Sequence, residues 1–254
     1  MNRDHAQPDA IPSTRPRGDD VVSVAGLTKR YGDVVAVDDL SFGLKRGTVT
    51  GFLGPNGAGK TTTLRLLLGL AEPSAGTALV FGRRYGQLEE PDRLVGAVLE
   101  SGDFHPGRSG RDHLRVLAAT ADIATSRVDE VLDIVGLNAA AHRPVKTYSL
   151  GMRQRLGLGA ALLGDPELLV LDEPANGLDP AGMHWLRSVL RSFADGGGTV
   201  LVSSHLLAEA AQSIEHVIVI DRGRVVADAG LDEIVSRGQS LEEAYLSLTS
   251  PVAS

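Results

Sequence analysis

Eight consecutive residues, Gly54-Pro55-Asn56-Gly57-Ala58-Gly59-Lys60-Thr61, satisfy the pattern G-x-x-x-x-G-K-[ST] at every fixed position. Glycines in such a run let backbone N–H groups turn inward around a phosphate, and the N-terminus of a following helix adds partial positive charge. Lys60 then reaches the β- and γ-phosphates of a nucleotide, and the hydroxyl of Thr61, with Thr62 behind it, meets Mg²⁺. A second cluster lies further along, where the apolar run Leu168-Leu169-Val170-Leu171 ends in Asp172-Glu173-Pro174. Two adjacent carboxylates at the tip of a buried strand are costly unless something cationic sits beside them. Asp172 is expected to hold Mg²⁺, directly or through water, and Glu173 to act as general base toward an attacking water.

These groups need elements to hold them. Val49–Leu53 reads as a strand entering the glycine-rich run, and Thr62–Leu70 as a Leu-rich helix leaving it. Short β-type runs at Val21–Leu27, Leu40–Leu44, Thr48–Leu53, Thr77–Phe81 and Leu94–Leu99 predict an antiparallel β region at the N-terminal end. Arg111–Ala121, Ser126–Val135 and Leu150–Leu163 have helical spacing and little strand signal, which predicts a helical insertion over about 101–160. After it, Leu168–Leu171, a helix over 180–194, a strand at Thr199–Ser203, a helix over 206–213 and a strand at Val217–Asp221 alternate as parallel βαβ units. Arg222-Gly223 turns the chain into a hairpin partner at Arg224–Ala227, and Leu231–Ser236 and Leu241–Leu248 close the chain as helices. The expected fold is α/β: a P-loop core with a parallel sheet, an N-terminal antiparallel β region and an inserted helical subdomain.

Composition sets limits on function. Hydrophobic residues make up 43% of the 254, enough for a buried core and too many for a disordered chain. The absence of cysteine excludes disulfides, Cys-ligated zinc and thiol nucleophiles. A net charge of −7 argues against a phosphate-backbone binder. No apolar run approaches the ~20 residues that span a bilayer, and Met1–Asp20 has no apolar core of a secretory signal, so the expected location is cytoplasmic. Residues 1–20 read as a disordered tail, 21–235 as one nucleotide-binding domain, and 236–254 as a short C-terminal helix and tail.

Together these motifs resemble the nucleotide-binding subunit of ATP-binding cassette (ABC) transporters over essentially all of 21–230. Tyr148-Ser149-Leu150-Gly151-Met152-Arg153-Gln154-Arg155 is similar to the family's signature, Leu-Ser-Gly-Gly-Gln followed by a basic residue, Gln and Arg. Ser149 and Gly151 keep their places, while Tyr148, Leu150 and Met152 depart. Asn176-Gly177-Leu178-Asp179 resembles the loop after the acidic pair, Ser203-Ser204-His205 the switch histidine, and Tyr31 the aromatic that stacks on adenine. The resemblance implies that the Ser149–Gly151 helix end meets the γ-phosphate held by a second cassette, so that two chains sandwich two ATP molecules. It implies that His205 senses the γ-phosphate, a role that suits imidazole. It also implies a separate transmembrane permease as partner, with this chain peripheral on the cytoplasmic face of the membrane. The short ending after Leu241 is similar to exporter-type cassettes of bacterial drug and antibiotic efflux.

Where the family usually carries a Gln at the end of Val95–Leu99, this chain carries Glu100. A carboxylate has an equivalent oxygen and an added charge, so Glu100 is expected to contribute to the Mg²⁺ site. The resemblance implies that the Glu100–Gly107 connection faces the permease, and Phe104, with its Gly and Pro neighbours, is expected to be exposed there. A soluble cassette acting on nucleic acid or ribosomes is the alternative. The guanine-reading Asn-Lys-x-Asp pattern of GTPases is absent.

Overall fold

A computed structural model of the chain describes residues 20–99, 104–204, 212–235 and 240–249. Its centre is a six-stranded sheet of β5 (Val95–Val98), β6 (Leu168–Leu171), β7 (Thr199–Ser204), β3 (Val49–Leu53), β8 (His216–Asp221) and β9 (Arg224–Gly230), in that order. All pairings are parallel except β8–β9, which form a hairpin. Its turn residues Arg222 and Gly223 both have positive φ (46° and 79°), the backbone that a tight two-residue hairpin requires. A second sheet, β2 (Val34–Leu44), β1 (Val22–Tyr31) and β4 (Ala75–Val80), is antiparallel throughout.

The central sheet is covered on both faces, which is why its strands read as unbroken apolar runs. Along β6, Leu168 and Val170 face the antiparallel sheet and α1 (Lys60–Leu67), while Leu169 and Leu171 face the helical layer. All four are completely buried, each contributing roughly 2 kcal/mol of burial free energy. The helical layer comprises α3 (Gly110–Thr120), α4 (Ser126–Ile134), α5 (Leu150–Leu162) and α6 (Pro180–Asp195). Between β4 and β5 lies the short α2 (Pro91–Leu94), and α7 (Leu231–Ile234) and α8 (Leu241–Thr249) end the described chain.

Local signals place the helix starts. Ser109, Ser149 and Asp179 each accept a backbone N–H from the residue three positions on, and Pro180 occupies the first position of α6. Tyr148, a departure from the signature pattern, is buried. Its hydroxyl donates to the Ala140 carbonyl at 2.7 Å, and a Cβ on Gly110 would overlap it. Burial also pushes the phenol's pKa up.

Two strands differ from the sequence expectation. Val49–Leu53 and Val95–Val98 belong to the parallel sheet, not to the antiparallel region. β3 has β7 and β8 as neighbours, some 150 residues away in the chain, and β5 pairs with β6 across the helical insertion. Short apolar strands carry no mark of which sheet they join; distant partners decide it. The helix expected over 206–213 lies almost wholly outside the described residues.

Candidate functional site

β3 delivers the chain into the glycine-rich run at the C-terminal edge of the sheet, where a parallel sheet binds ligands. Neighbours on three sides shape that loop. A Cβ on Gly54 would lie 2.5 Å from the Ile220 carbonyl of β8, and one on Gly59 2.5 Å from the Ala36 carbonyl of β2. Gly59 also has a φ of 105°, which favours glycine, and it serves as N-cap of α1. The β8–β9 turn completes the bracket, since Gly223 donates its N–H to the Ala58 carbonyl at 3.0 Å. Gly57 (φ 82°) faces open space, and the first turn of α1 has no acidic residue, so its N-terminal field is left for an anion. Pro55, Asn56 and Gly57 form the exposed lip of the loop, and Ala58 packs beneath it.

Lys60, only 7% exposed, points its Nζ back along the loop. The ammonium donates to the carbonyls of Gly54 (2.7 Å) and Pro55 (3.3 Å) and lies 3.6 Å from Glu173 Oε1. Next in the helix, the Thr61 hydroxyl donates to Asp172 Oδ2 at 2.6 Å. Ser203, on β7, donates to the other carboxylate oxygen, Oδ1, at 2.5 Å and accepts the Glu173 N–H at 2.9 Å. Glu173 is in the left-handed region (φ 50°), a strained backbone of order 1 kcal/mol for a non-glycine residue, and Ser203 is one of the groups that hold it there. Glu173 therefore meets the Lys60 ammonium, and both oxygens of Asp172 accept a hydroxyl, from Thr61 and Ser203.

The structure thus brings the loop Gly54–Thr61 together with Asp172 and Glu173, while Thr62 follows in the first turn of α1. It adds Ser203, which the sequence reading quoted only as part of the switch motif. The signal was there: a polar pair, Ser203-Ser204, ends an otherwise apolar strand. Removal of that hydroxyl leaves the Glu173 N–H and a buried carboxylate oxygen without it. Ser203→Ala is expected to lower stability by about 1–3 kcal/mol and to slow turnover more than it weakens nucleotide binding. Chemical denaturation together with steady-state kinetics measures both; an unchanged kcat would remove Ser203 from the site.

Other expected residues lie elsewhere. Tyr31 is 51% exposed at the tip of the β1–β2 hairpin, opposite Val34, with Lys29 Nζ 4.9 Å from its ring centre. That tip is two residues from Ala36, whose carbonyl borders Gly59. Ser149 caps its own helix, accepting the Met152 N–H at 3.2 Å, and a Cβ on Gly151 would lie 3.4 Å from Leu178. Within one chain these two stand beside the loop that follows Glu173, not at the phosphate loop. Glu100 and His205 lie outside the described residues. Phe104 is half-buried rather than exposed: it packs on the helical core and sets its ring edge-on to His113 at 5.0 Å. Burial, followed by the charge of Arg108, lowers the His113 pKa. An aromatic beside a helix bundle finds apolar cover that the Gly and Pro neighbours in sequence do not reveal.

Magnesium is a hard cation that takes few protein ligands and keeps water and phosphate oxygens for the rest of its shell. The donor set here fits it: a hydroxyl oxygen on Thr61 and a carboxylate oxygen on Asp172, 2.6 Å apart at the helix N-terminus. Among the described residues no cluster of three or more His, Asp or Glu forms an all-protein cage.

A glycine-rich loop between a central parallel strand and a helix, with an acidic pair at the end of β6, separated from β3 by β7, defines a P-loop nucleotide-binding ATPase domain. The chain belongs to the ABC transporter family, whose model matches residues 37–176. It is 40% identical over 230 residues to the bacitracin transport ATP-binding protein BcrA of Bacillus licheniformis, covering 89% of this chain and 75% of that one. It is 33% identical over 225 residues to the lantibiotic transport ATP-binding protein SrtF of Streptococcus pyogenes, covering 89% and 96%. A solved structure of an ATP-binding subunit of an ABC transporter superimposes with a TM-score of 0.82 at 29% identity, covering 90% of this chain and 99% of that one.

Proposed function

We propose that this chain binds Mg·ATP and hydrolyses it as the motor subunit of an exporter whose membrane-spanning part is a separate permease. The observation that carries this reading is the convergence of Lys60, Thr61, Asp172, Glu173 and Ser203 on the mouth of the phosphate loop. Backbone N–H groups of 56–60 and the α1 N-terminus hold the triphosphate, with the Lys60 ammonium passing from loop carbonyls to phosphate oxygens. Thr61 and Asp172 would hold Mg²⁺, which would neutralise charge on the phosphates. Glu173, whose carboxylate lies 3.6 Å from the Lys60 ammonium, takes the proton from the attacking water. Tyr31 offers an exposed ring for the adenine. Ser149 and Gly151 present the capped end of α5 to nucleotide on a second cassette, in a homodimer or a dimer with another cassette. His205 and Glu100 take γ-phosphate sensing and Mg²⁺ support from their sequence positions.

No helix of the described residues is long and apolar enough to cross a membrane. As the ATP-binding subunit of a transporter the chain works at the cytoplasmic face through its partner, a reading the transport relatives support, and its net charge of −7 argues against nucleic acid as a partner. The bacitracin and lantibiotic relatives favour a small antibiotic-like cargo. A groove between the edge strand β5 and helices α3 and α5, lined by Tyr85, Ala97, Leu117, Ala121 and Gly164, lies in the same layer as Phe104 and gives the permease a surface to dock on. Affinity purification from detergent-solubilised cells is the test. Recovery of a multi-spanning membrane protein, encoded next to this gene, is expected; recovery of ribosomes or nucleic acid alone would overturn the transport reading.

A further inference from the structure

Leu150 departs from the family pattern, and the structure gives it a specific neighbour. Its side chain covers Gly177, in the loop between Glu173 and α6, so closely that a Cβ on Gly177 would overlap Leu150 Cδ2. One turn further along the same face of α5, the buried Gln154 donates its side-chain amide to the Asn176 carbonyl at 3.3 Å. The loop itself is two successive turns, with the Asn176 N–H on the Glu173 carbonyl and the Leu178 N–H on the Ala175 carbonyl, both at 3.1 Å. Behind this seam Arg155 stacks over Trp185 of α6 at 4.1 Å, while both side chains donate to the last carbonyls of α4, at Val135 and Ile134. The helix carrying Ser149 is therefore bound to the loop after Glu173 by an apolar contact and an amide hydrogen bond, and to α6 beyond that loop by a cation–π pair, although the two sides belong to the insertion and the core.

We propose that Leu150 is a positioning residue. It transmits the nucleotide state at Glu173, through Gly177, to the Ser149 end of α5 in the same chain. The inference rests on the ATP-binding reading above and extends it to a route between a chain's own nucleotide and the helix end it offers to a partner. A continuous path is not by itself coupling, so the test reads coupling directly.

Hydrogen–deuterium exchange is followed in the full chain with and without Mg·ATP, at a concentration where size exclusion gives monomer. In the wild type, ATP is expected to slow exchange in both 54–61 and 149–156. In Leu150→Ala, protection of 54–61 persists while that of 149–156 falls by about fivefold, the lower end of usual site–site coupling. Leu150→Met restores it, and Gln154→Ala, which leaves Leu150 intact, reduces it independently. Equal protection of 149–156 in wild type and Leu150→Ala would overturn the proposal. So would a wild type that protects 54–61 but not 149–156. Lack of protection at 54–61 in the wild type would instead overturn the nucleotide-binding reading and, with it, any role for the seam.

Discussion

Glu173→Gln is expected to bind ATP and hydrolyse it about 10²–10⁴-fold more slowly, the usual contribution of a positioned general base. The amide fits the same space and keeps the backbone arrangement, in which the Glu173 N–H donates to Ser203 and φ is 50°. What it loses is the basic oxygen, and with it the charge that faces Lys60 at 3.6 Å. Because hydrolysis ends the cycle, the variant should accumulate as an ATP-bound dimer that elutes early on size exclusion, whereas the wild type passes through that state. Phosphate release at saturating ATP measures the first effect and chromatography the second. A wild-type rate would exclude Glu173 as the base, and a variant that stays monomeric with ATP bound would count against the sandwich of two cassettes.

Lys60→Ala should act earlier, on binding itself. The ammonium is almost buried and already lies among loop carbonyls, so phosphate oxygens need only replace the Gly54 and Pro55 contacts. Loss of its charge-assisted bonds is worth about 3 kcal/mol or more, over ~100-fold in Kd. The fold should survive, because the left-handed Gly59, the Thr63 hydroxyl on the Gly59 carbonyl and the apolar face of α1 do not depend on Lys60. Calorimetric titration with Mg·ATP, alongside circular dichroism, separates lost binding from lost structure. Retained affinity in a folded variant would mean that the backbone cradle alone holds the nucleotide.

The two variants probe groups whose types and order are plain in the sequence. A glycine-rich loop has a fixed spacing because phosphate has a fixed size, and a strand buried on both faces must be apolar along its whole length. Hence Gly54–Thr61, Leu168–Glu173 and the helical insertion are legible one residue at a time. Helix starts at Ser109, Ser149 and Asp179 are legible for the same reason, since a cap bonds only three residues along the chain. Sheet membership is different in kind. Val49–Leu53 and Val95–Val98 look like the strands before them, and only β7, β8 and β6, brought in from far along the chain, place them in the parallel sheet.

The site divides in the same way. Sequence alone supplied the phosphate loop, the acidic pair and the family resemblance. It could not supply Ser203 as the group that satisfies Asp172 and fixes Glu173, because that bond joins two strands 31 residues apart. Nor could it supply the half-burial of Phe104 against His113, or the contact of Leu150 with Gly177. Those depend on how helices and loops from separate stretches meet at a given angle and depth. Local pattern determines which groups the chain offers; tertiary packing decides which of them touch, because contact energies between distant residues are won only after the chain has folded.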